Sequence, residues 1–160
     1  MPELTEHPIE TRARRTRWRE LWGMHGTALL VVAAGGALGA LARYGIAQWL
    51  PVHSGRFPWA TFLTNVSGCF LIGVLMVAVT EIWAAHRLLR PFLGVGVLGG
   101  FTTFSTYANE IRALLRPGTL AVAFAYTTGT VICALFATAA AMWFTRAGYE
   151  RRRRARVRSA

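Results

Sequence analysis

Polar side chains occur at intervals inside long apolar runs of this sequence, and they are the residues best able to do chemistry. Asn65 lies in the middle third of one run, and its amide offers two donors and an acceptor. Ser105 and Thr106 place two hydroxyls beside Phe104 and Tyr107 in another run. A polar group in hydrocarbon is costly and usually faces a partner helix or a water-filled path. These residues therefore indicate interhelical hydrogen bonds or a route for a polar solute.

Four further polar residues admit the same two interpretations. Tyr126 and Thr130 are four residues apart and so share one helical face, although a membrane threonine more often bonds the carbonyl of its own helix. Glu110 follows one turn after the hydroxyl pair. Arg43 lies about two turns from the end of the first run, where it either reaches back to the interface or attracts anions into a vestibule.

A weak point in helical structure is expected in the third run. Gly99 and Gly100 are followed at once by Phe101, Thr102 and Thr103, and paired glycines before β-branched residues disfavour a helix. A helix broken at bilayer depth exposes carbonyls that protein, water or an ion must satisfy. Freed carbonyls suit a hard cation with oxygen ligands.

The elements that hold these residues are predicted to be four transmembrane helices, because each run reaches the roughly 20 apolar residues that cross a bilayer. The runs cover about 27–50, 57–80, 88–111 and 119–144. Gly35 and Gly39 form a small-xxx-small pair in the first run, which favours close helix contact. The sequence thus predicts an all-α membrane domain over 27–144, with a basic tail over 1–26 and an Arg-rich tail over 145–160.

Composition supports a membrane protein. Hydrophobic residues make up 54% and charged residues 16%, and all 18 basic residues are arginines that flank the apolar runs. This placement favours contact with lipid headgroups over nucleic-acid binding. Arg14 and Arg15 could belong to a cleaved export signal, but the apolar run after them is too long and three more follow. Cys69 and Cys133 lie in mid-run and show no disulfide or metal-binding spacing.

Three motifs together resemble the Fluc (CrcB) family of fluoride channels, from about residue 35 to residue 141. They are Gly35-Gly36-Ala37-Leu38-Gly39-Ala40 leading to Arg43-Tyr44, Phe57-Pro58 leading to Thr61 and Asn65-Val66-Ser67-Gly68, and Gly99-Gly100-Phe101-Thr102-Thr103-Phe104-Ser105-Thr106 leading to Glu110. The third motif is the most specific. Tyr107 departs from the family, where phenylalanine is usual.

The resemblance implies a passive, fluoride-selective channel rather than an enzyme. It implies four-helix subunits with a broken third helix, assembled as an antiparallel dimer with two fluoride pores. It also implies a structural sodium ion held by the backbone carbonyls of Gly99 and Thr102. The pore residues carried over by position are Asn65, Phe104, Ser105, Thr106, Tyr107, Tyr126 and Thr130, with Glu110 in the polar track and Arg43 in the vestibule.

Two other functions are alternatives to the channel. A small proton-coupled drug exporter needs a carboxylate inside a span, whereas Glu81 and Glu110 lie near span ends. A structural membrane subunit without transport activity would not require the glycine break or the hydroxyl run.

Charge asymmetry predicts the orientation. Four spans place both termini on one side of the cell membrane, and that side carries fourteen arginines against four on the other. Positive-inside reasoning then puts both termini in the cytoplasm. An antiparallel homodimer would instead need nearly balanced charge. We therefore expect pairing with a related subunit of opposite bias, the alternative being a dual-topology homodimer whose tails bind anionic lipid.

Overall fold

The computed structural model describes residues 8–82 and 88–158, and within them the chain forms helices with short connections and no strand. The helices are α1 Pro8–Trp49, α2 Trp59–Val77 with a π-helical continuation Ala78–Ile82, α3 comprising the π-helical Pro91–Leu98 and the α-helical Gly99–Phe101, α4 Phe104–Leu114, and α5 Leu120–Arg158. Residues 83–87, which include Arg87 and lie between the second and third predicted runs, are outside the described residues.

Three helical segments of the described chain are long and apolar enough to cross a membrane. They are Gly26–Trp49, Trp59–Ile82 and Leu120–Ala155. An all-α, multi-pass membrane protein is thereby confirmed. The predicted run 88–111 is divided between α3 and α4, and each of these helices alone is shorter than a bilayer requires.

The first and last helices extend well beyond the predicted apolar runs. α1 has 42 residues and begins at Pro8, and α5 has 39 residues and ends at Arg158. At 1.5 Å per residue both are roughly 60 Å long, about twice the hydrocarbon thickness of a bilayer. Much of each basic tail is therefore a direct continuation of a membrane helix.

Glycines bring the helices into close contact in two pairs, α1 with α3 and α2 with α5. A Cβ at Gly35 would lie 2.6 Å from the carbonyl oxygen of Phe92, and one at Gly39 would overlap that of Val97. A Cβ at Gly73 would lie 2.6 Å from the carbonyl oxygen of Thr138. The predicted close contact at the small-xxx-small pair of α1 is confirmed, and its partner is the α3 backbone.

Candidate functional site

The helical backbone is interrupted between α3 and α4. Thr102 has φ −77° and ψ 156°, and Thr103 has φ −147° and ψ 126°, so both residues are extended. Thr103 caps the next helix, because its Oγ1 accepts a hydrogen bond of 3.2 Å from the backbone N–H of Thr106. We call residues 102–103 the break.

Asn65 of α2 is paired with the break. Its Nδ2 donates to the carbonyl oxygen of Thr103 at 3.0 Å, and the Thr103 N–H donates back to Asn65 Oδ1 at 2.9 Å. The two bonds satisfy both the N–H and the C=O of one extended residue, as polar backbone groups away from water require. Asn65 therefore makes the interhelical hydrogen bonds that were one of its two predicted roles. Its second N–H takes part in neither bond, and its role in the ion path stays a prediction.

Some backbone carbonyls at the C-terminal end of α3 and in the break accept hydrogen bonds, and others do not. Thr102 donates to the Leu98 carbonyl twice, from its N–H at 3.0 Å and from Oγ1 at 2.9 Å. Arg43 Nε donates to the Gly100 carbonyl at 3.2 Å, where a cation also suits the helix dipole. In the described part of the chain, no group donates a hydrogen bond to the carbonyls of Gly99 or Thr102.

A hydroxyl cluster and an aromatic pair follow the break. Thr103 Oγ1 donates to Thr106 Oγ1 at 3.1 Å and lies 3.3 Å from Ser105 Oγ. The ring centroids of Phe104 and Tyr107 are 6.1 Å apart. Phe104 is 79% exposed and Tyr107 only 8%, so one ring faces outward from this chain and the other packs inward.

A second polar network lies further along α4. The Tyr107 hydroxyl donates to the Thr127 carbonyl at 2.8 Å, and its ring packs 5.1 Å from that of Tyr126. Tyr126 is fully buried and donates to Glu110 Oε2 at 2.6 Å, while Thr61 Oγ1 donates to Glu110 Oε1 at 2.8 Å. Both carboxylate oxygens of Glu110 are thus held by hydroxyls from two other helices.

The structure brings most predicted site residues into one connected region and leaves Thr130 at its edge. The Thr130 hydroxyl is buried and donates to the Tyr126 carbonyl of its own helix at 2.6 Å. Thr103 and Thr61 take part in the networks and stand in the quoted motifs, but they were not among the predicted site residues. A threonine directly before a helical run is an N-cap signal, and it could have found Thr103. Thr61 carries no such signal, because its partner comes from another helix.

Comparison with known proteins places these residues in a family. The family described as CrcB-like protein, Camphor Resistance (CrcB), matches residues 30–142. The chain belongs to the CrcB family. The match includes both polar networks and the break of this CrcB chain, and it leaves out most of the basic extension of each terminal helix.

Curated relatives of this CrcB chain are named as ion channels, and ion channels are not a class of enzyme. "Fluoride-specific ion channel FluC 2" of Nocardia farcinica is 60% identical over 121 residues, covering 73% of this chain and 86% of the relative. "Fluoride-specific ion channel FluC 1" of Streptomyces coelicolor is 50% identical over 128 residues, covering 80% and 83% respectively.

Proposed function

We propose that this chain is a subunit of a passive, fluoride-selective channel that lowers the fluoride concentration of the cytoplasm. The observation that carries the proposal is the connected row of hydroxyl and ring groups from the break to Glu110, in a chain similar to proteins named fluoride-specific channels. A row of donors through an apolar bundle is suited to a small anion that must leave its water.

The donors fit fluoride, which is small and strongly hydrated. Because the Thr103 hydroxyl donates to Thr106, the Thr106 hydroxyl proton remains available to an anion. The edge of an aromatic ring is electropositive, so Phe104 can present C–H groups to the same ion. The Tyr107 hydroxyl is occupied by the Thr127 carbonyl, and this residue therefore offers a ring much as phenylalanine would.

The proposed assembly is an antiparallel dimer of four-span subunits, in which α3 and α4 together form the third span. Exposed Phe104 would then face the second subunit. A structural sodium ion would be held by the carbonyls of Gly99 and Thr102, and the absence of a described donor to either oxygen fits oxygen ligation of a cation. The ion would supply positive charge that offsets the cost of holding anions at low dielectric.

No energy source is required for export. Hydrogen fluoride enters cells as a neutral acid and ionises in neutral cytoplasm, so the anion is trapped. An inside-negative membrane potential then drives the anion outward by about 2.3 kcal/mol per 100 mV.

Fluoride efflux from proteoliposomes tests the proposal. Vesicles loaded with potassium fluoride are given a potassium ionophore, and release is followed with a fluoride electrode, with and without a proton gradient. We expect rapid release, from the chain alone or together with a related subunit of opposite orientation, that does not depend on the proton gradient, and none from protein-free vesicles. Release only with a proton gradient would support a proton-coupled exporter instead, and no release from well-folded protein, alone or with a related subunit, would support a structural subunit.

A further inference from the structure

A pocket of about 470 Å³ lies between the loop that joins α1 to α2 and the loop that joins α4 to α5. Its lining includes Arg56 and Pro58 from the first loop, Arg116 and Thr119 from the second, and Glu110 from α4. Glu110 is thus shared between the pocket and the polar network that leads toward the break. The pocket is the place where that network meets the end of the helix bundle.

Each of the two loops that line the pocket contains a turn closed by a backbone hydrogen bond. The Arg56 N–H donates to the His53 carbonyl at 3.1 Å, in a turn where Gly55 has a φ of 77°. The Thr119 N–H donates to the Arg116 carbonyl at 3.1 Å. A Cβ on Gly55 would lie 3.3 Å from Thr119 Cγ2, so the two loops touch each other. Arg56 and Arg116 therefore belong to two turns that are in contact with each other.

The pocket has an excess of positive charge. The ion pairs between described residues join Arg146 to Glu81 and Arg154 to Glu150, so no described carboxylate pairs with Arg56 or Arg116. Arg56 and Arg116 share the pocket lining with one carboxylate residue, Glu110, whose oxygens already accept bonds from two hydroxyls. A concave site with an excess of positive charge raises the local concentration of small anions.

We propose that this pocket is a collecting mouth for small inorganic anions, where Arg56 and Arg116 concentrate fluoride next to Glu110. This inference rests on the proposed function and assigns one end of the ion path to residues outside the predicted pore set. The arginines act on the anion before or after the narrow path, so they set the rate of entry and exit rather than the selectivity.

Paired neutral substitutions test the mouth. Arg56→Gln and Arg116→Gln are combined, and Arg112→Gln serves as the matched control, because Arg112 lies on the exposed surface of α4 outside the pocket. In efflux assays at about 0.01 M salt, where charges act over roughly 30 Å, the double variant should be about three- to tenfold slower than the parent. At about 1 M salt the difference should largely vanish. The control should be slowed less than the double variant at low salt, because its charge lies outside the pocket, and it should match the parent at about 1 M salt.

A second measurement makes the result independent of conduction. Potassium fluoride is titrated into each detergent-solubilised protein, and the ¹⁹F NMR line width of the free ion is recorded. The parent and Arg112→Gln should broaden the line equally, and the double variant should broaden it less, because only the pore groups remain to bind the ion. Equal broadening by all three proteins, or equal slowing of efflux by the double variant and the control, overturns the mouth. Absence of efflux in the parent, both alone and with a related subunit, would instead count against the channel function, while the line widths would still decide the mouth.

Discussion

Asn65 shows how one side chain can replace the hydrogen bonds that a helix loses. Its amide carries a donor and an acceptor in the same arrangement as a peptide group, and both meet the backbone of Thr103. An extended residue inside a helix bundle would otherwise leave its N–H and C=O unsatisfied, at about 1–3 kcal/mol for a buried group. The amide therefore both stabilises the break and stands beside the hydroxyls that follow it.

Replacing Asn65 with aspartate tests both roles. Asn65→Asp removes the Nδ2 donor to the Thr103 carbonyl and adds a negative charge beside the proposed anion path. We expect fluoride efflux to be abolished and the protein to be destabilised by about 1–3 kcal/mol. Efflux and thermal unfolding in detergent micelles measure the two effects.

Ser67→Ala is the control for this substitution. Ser67 lies two residues along the same helix and donates to the Leu63 carbonyl of that helix at 2.6 Å. Its removal should leave efflux within about twofold of the parent, since an exposed bond within one helix contributes little. A well-folded Asn65→Asp protein that conducts fluoride normally would show that this amide is not on the ion path.

Tyr107 and Tyr126 form a second matched pair, since each donates a single phenolic hydrogen bond. Tyr107 donates to a backbone carbonyl, and Tyr126 donates to the Glu110 carboxylate. Tyr107→Phe should retain efflux within about threefold and lose about 1 kcal/mol of stability. Tyr126→Phe should slow efflux much more, because it frees one oxygen of a carboxylate in the polar network. Similar efflux from both variants would contradict a functional role for the Tyr126–Glu110 bond.

The contact between α1 and α3 depends on backbone approaching backbone. A Cβ at Gly39 would meet the Val97 carbonyl and the Phe101 nitrogen, and neither belongs to a side chain that can turn away. This contact sets the position of the C-terminal end of α3, where Arg43 bonds Gly100. The glycines of α1 thus help to fix the carbonyls at the break.

Gly39→Ala should therefore destabilise the protein, by about 1–3 kcal/mol as for overpacked cores. Gly45→Ala on the same helix is the control, because a Cβ there meets nothing within 4 Å. That control should be neutral or more stable by about 0.5–1 kcal/mol, as alanine favours a helix over glycine. Melting curves of the purified proteins, read as loss of the monodisperse peak on size exclusion, check both. Equal behaviour of the two variants would show that the helices can separate without cost.

The sequence predicts those features of the helices that are determined by neighbouring residues, and it does not predict those that depend on contacts between distant residues. Hydropathy located three segments that the structure shows as long apolar helices, and Gly99, Gly100, Thr102 and Thr103 marked the region where α3 ends and α4 begins. Hydropathy could not locate the start of α1 or the end of α5, because it detects lipid contact while arginine-rich sequence also forms helix readily. The pairing of Asn65 with Thr103 spans 38 residues, and no local pattern encodes it.

At the scale of the whole molecule, arginine is distributed very unevenly between the two ends. Arg146 Nε lies 2.7 Å from Glu81 Oε1, so the end of α2 and the basic part of α5 meet at one end of the bundle. Arg56 and Arg116 line the pocket between the α1–α2 loop and the α4–α5 loop. These loops connect the predicted spans at the end opposite the termini. Fourteen arginines belong by sequence to the end with both termini and four to the other, with Arg87 outside the described residues.

This asymmetry leads to the prediction that the chain inserts in one orientation only, with both termini in the cytoplasm, since arginine-rich flanks resist translocation. An antiparallel channel then needs a related subunit of opposite charge bias. Reporter fusions at either terminus should show one orientation, and the chain expressed alone should give little fluoride efflux until such a subunit is added. Deleting the basic residues after 147 separates this prediction from the alternative in which the tails only bind lipid. The deletion should weaken the orientation bias if the arginines set it, and should leave the orientation unchanged if they only bind lipid. Robust channels from this chain alone, with termini on both sides of the membrane, would establish a dual-topology homodimer instead.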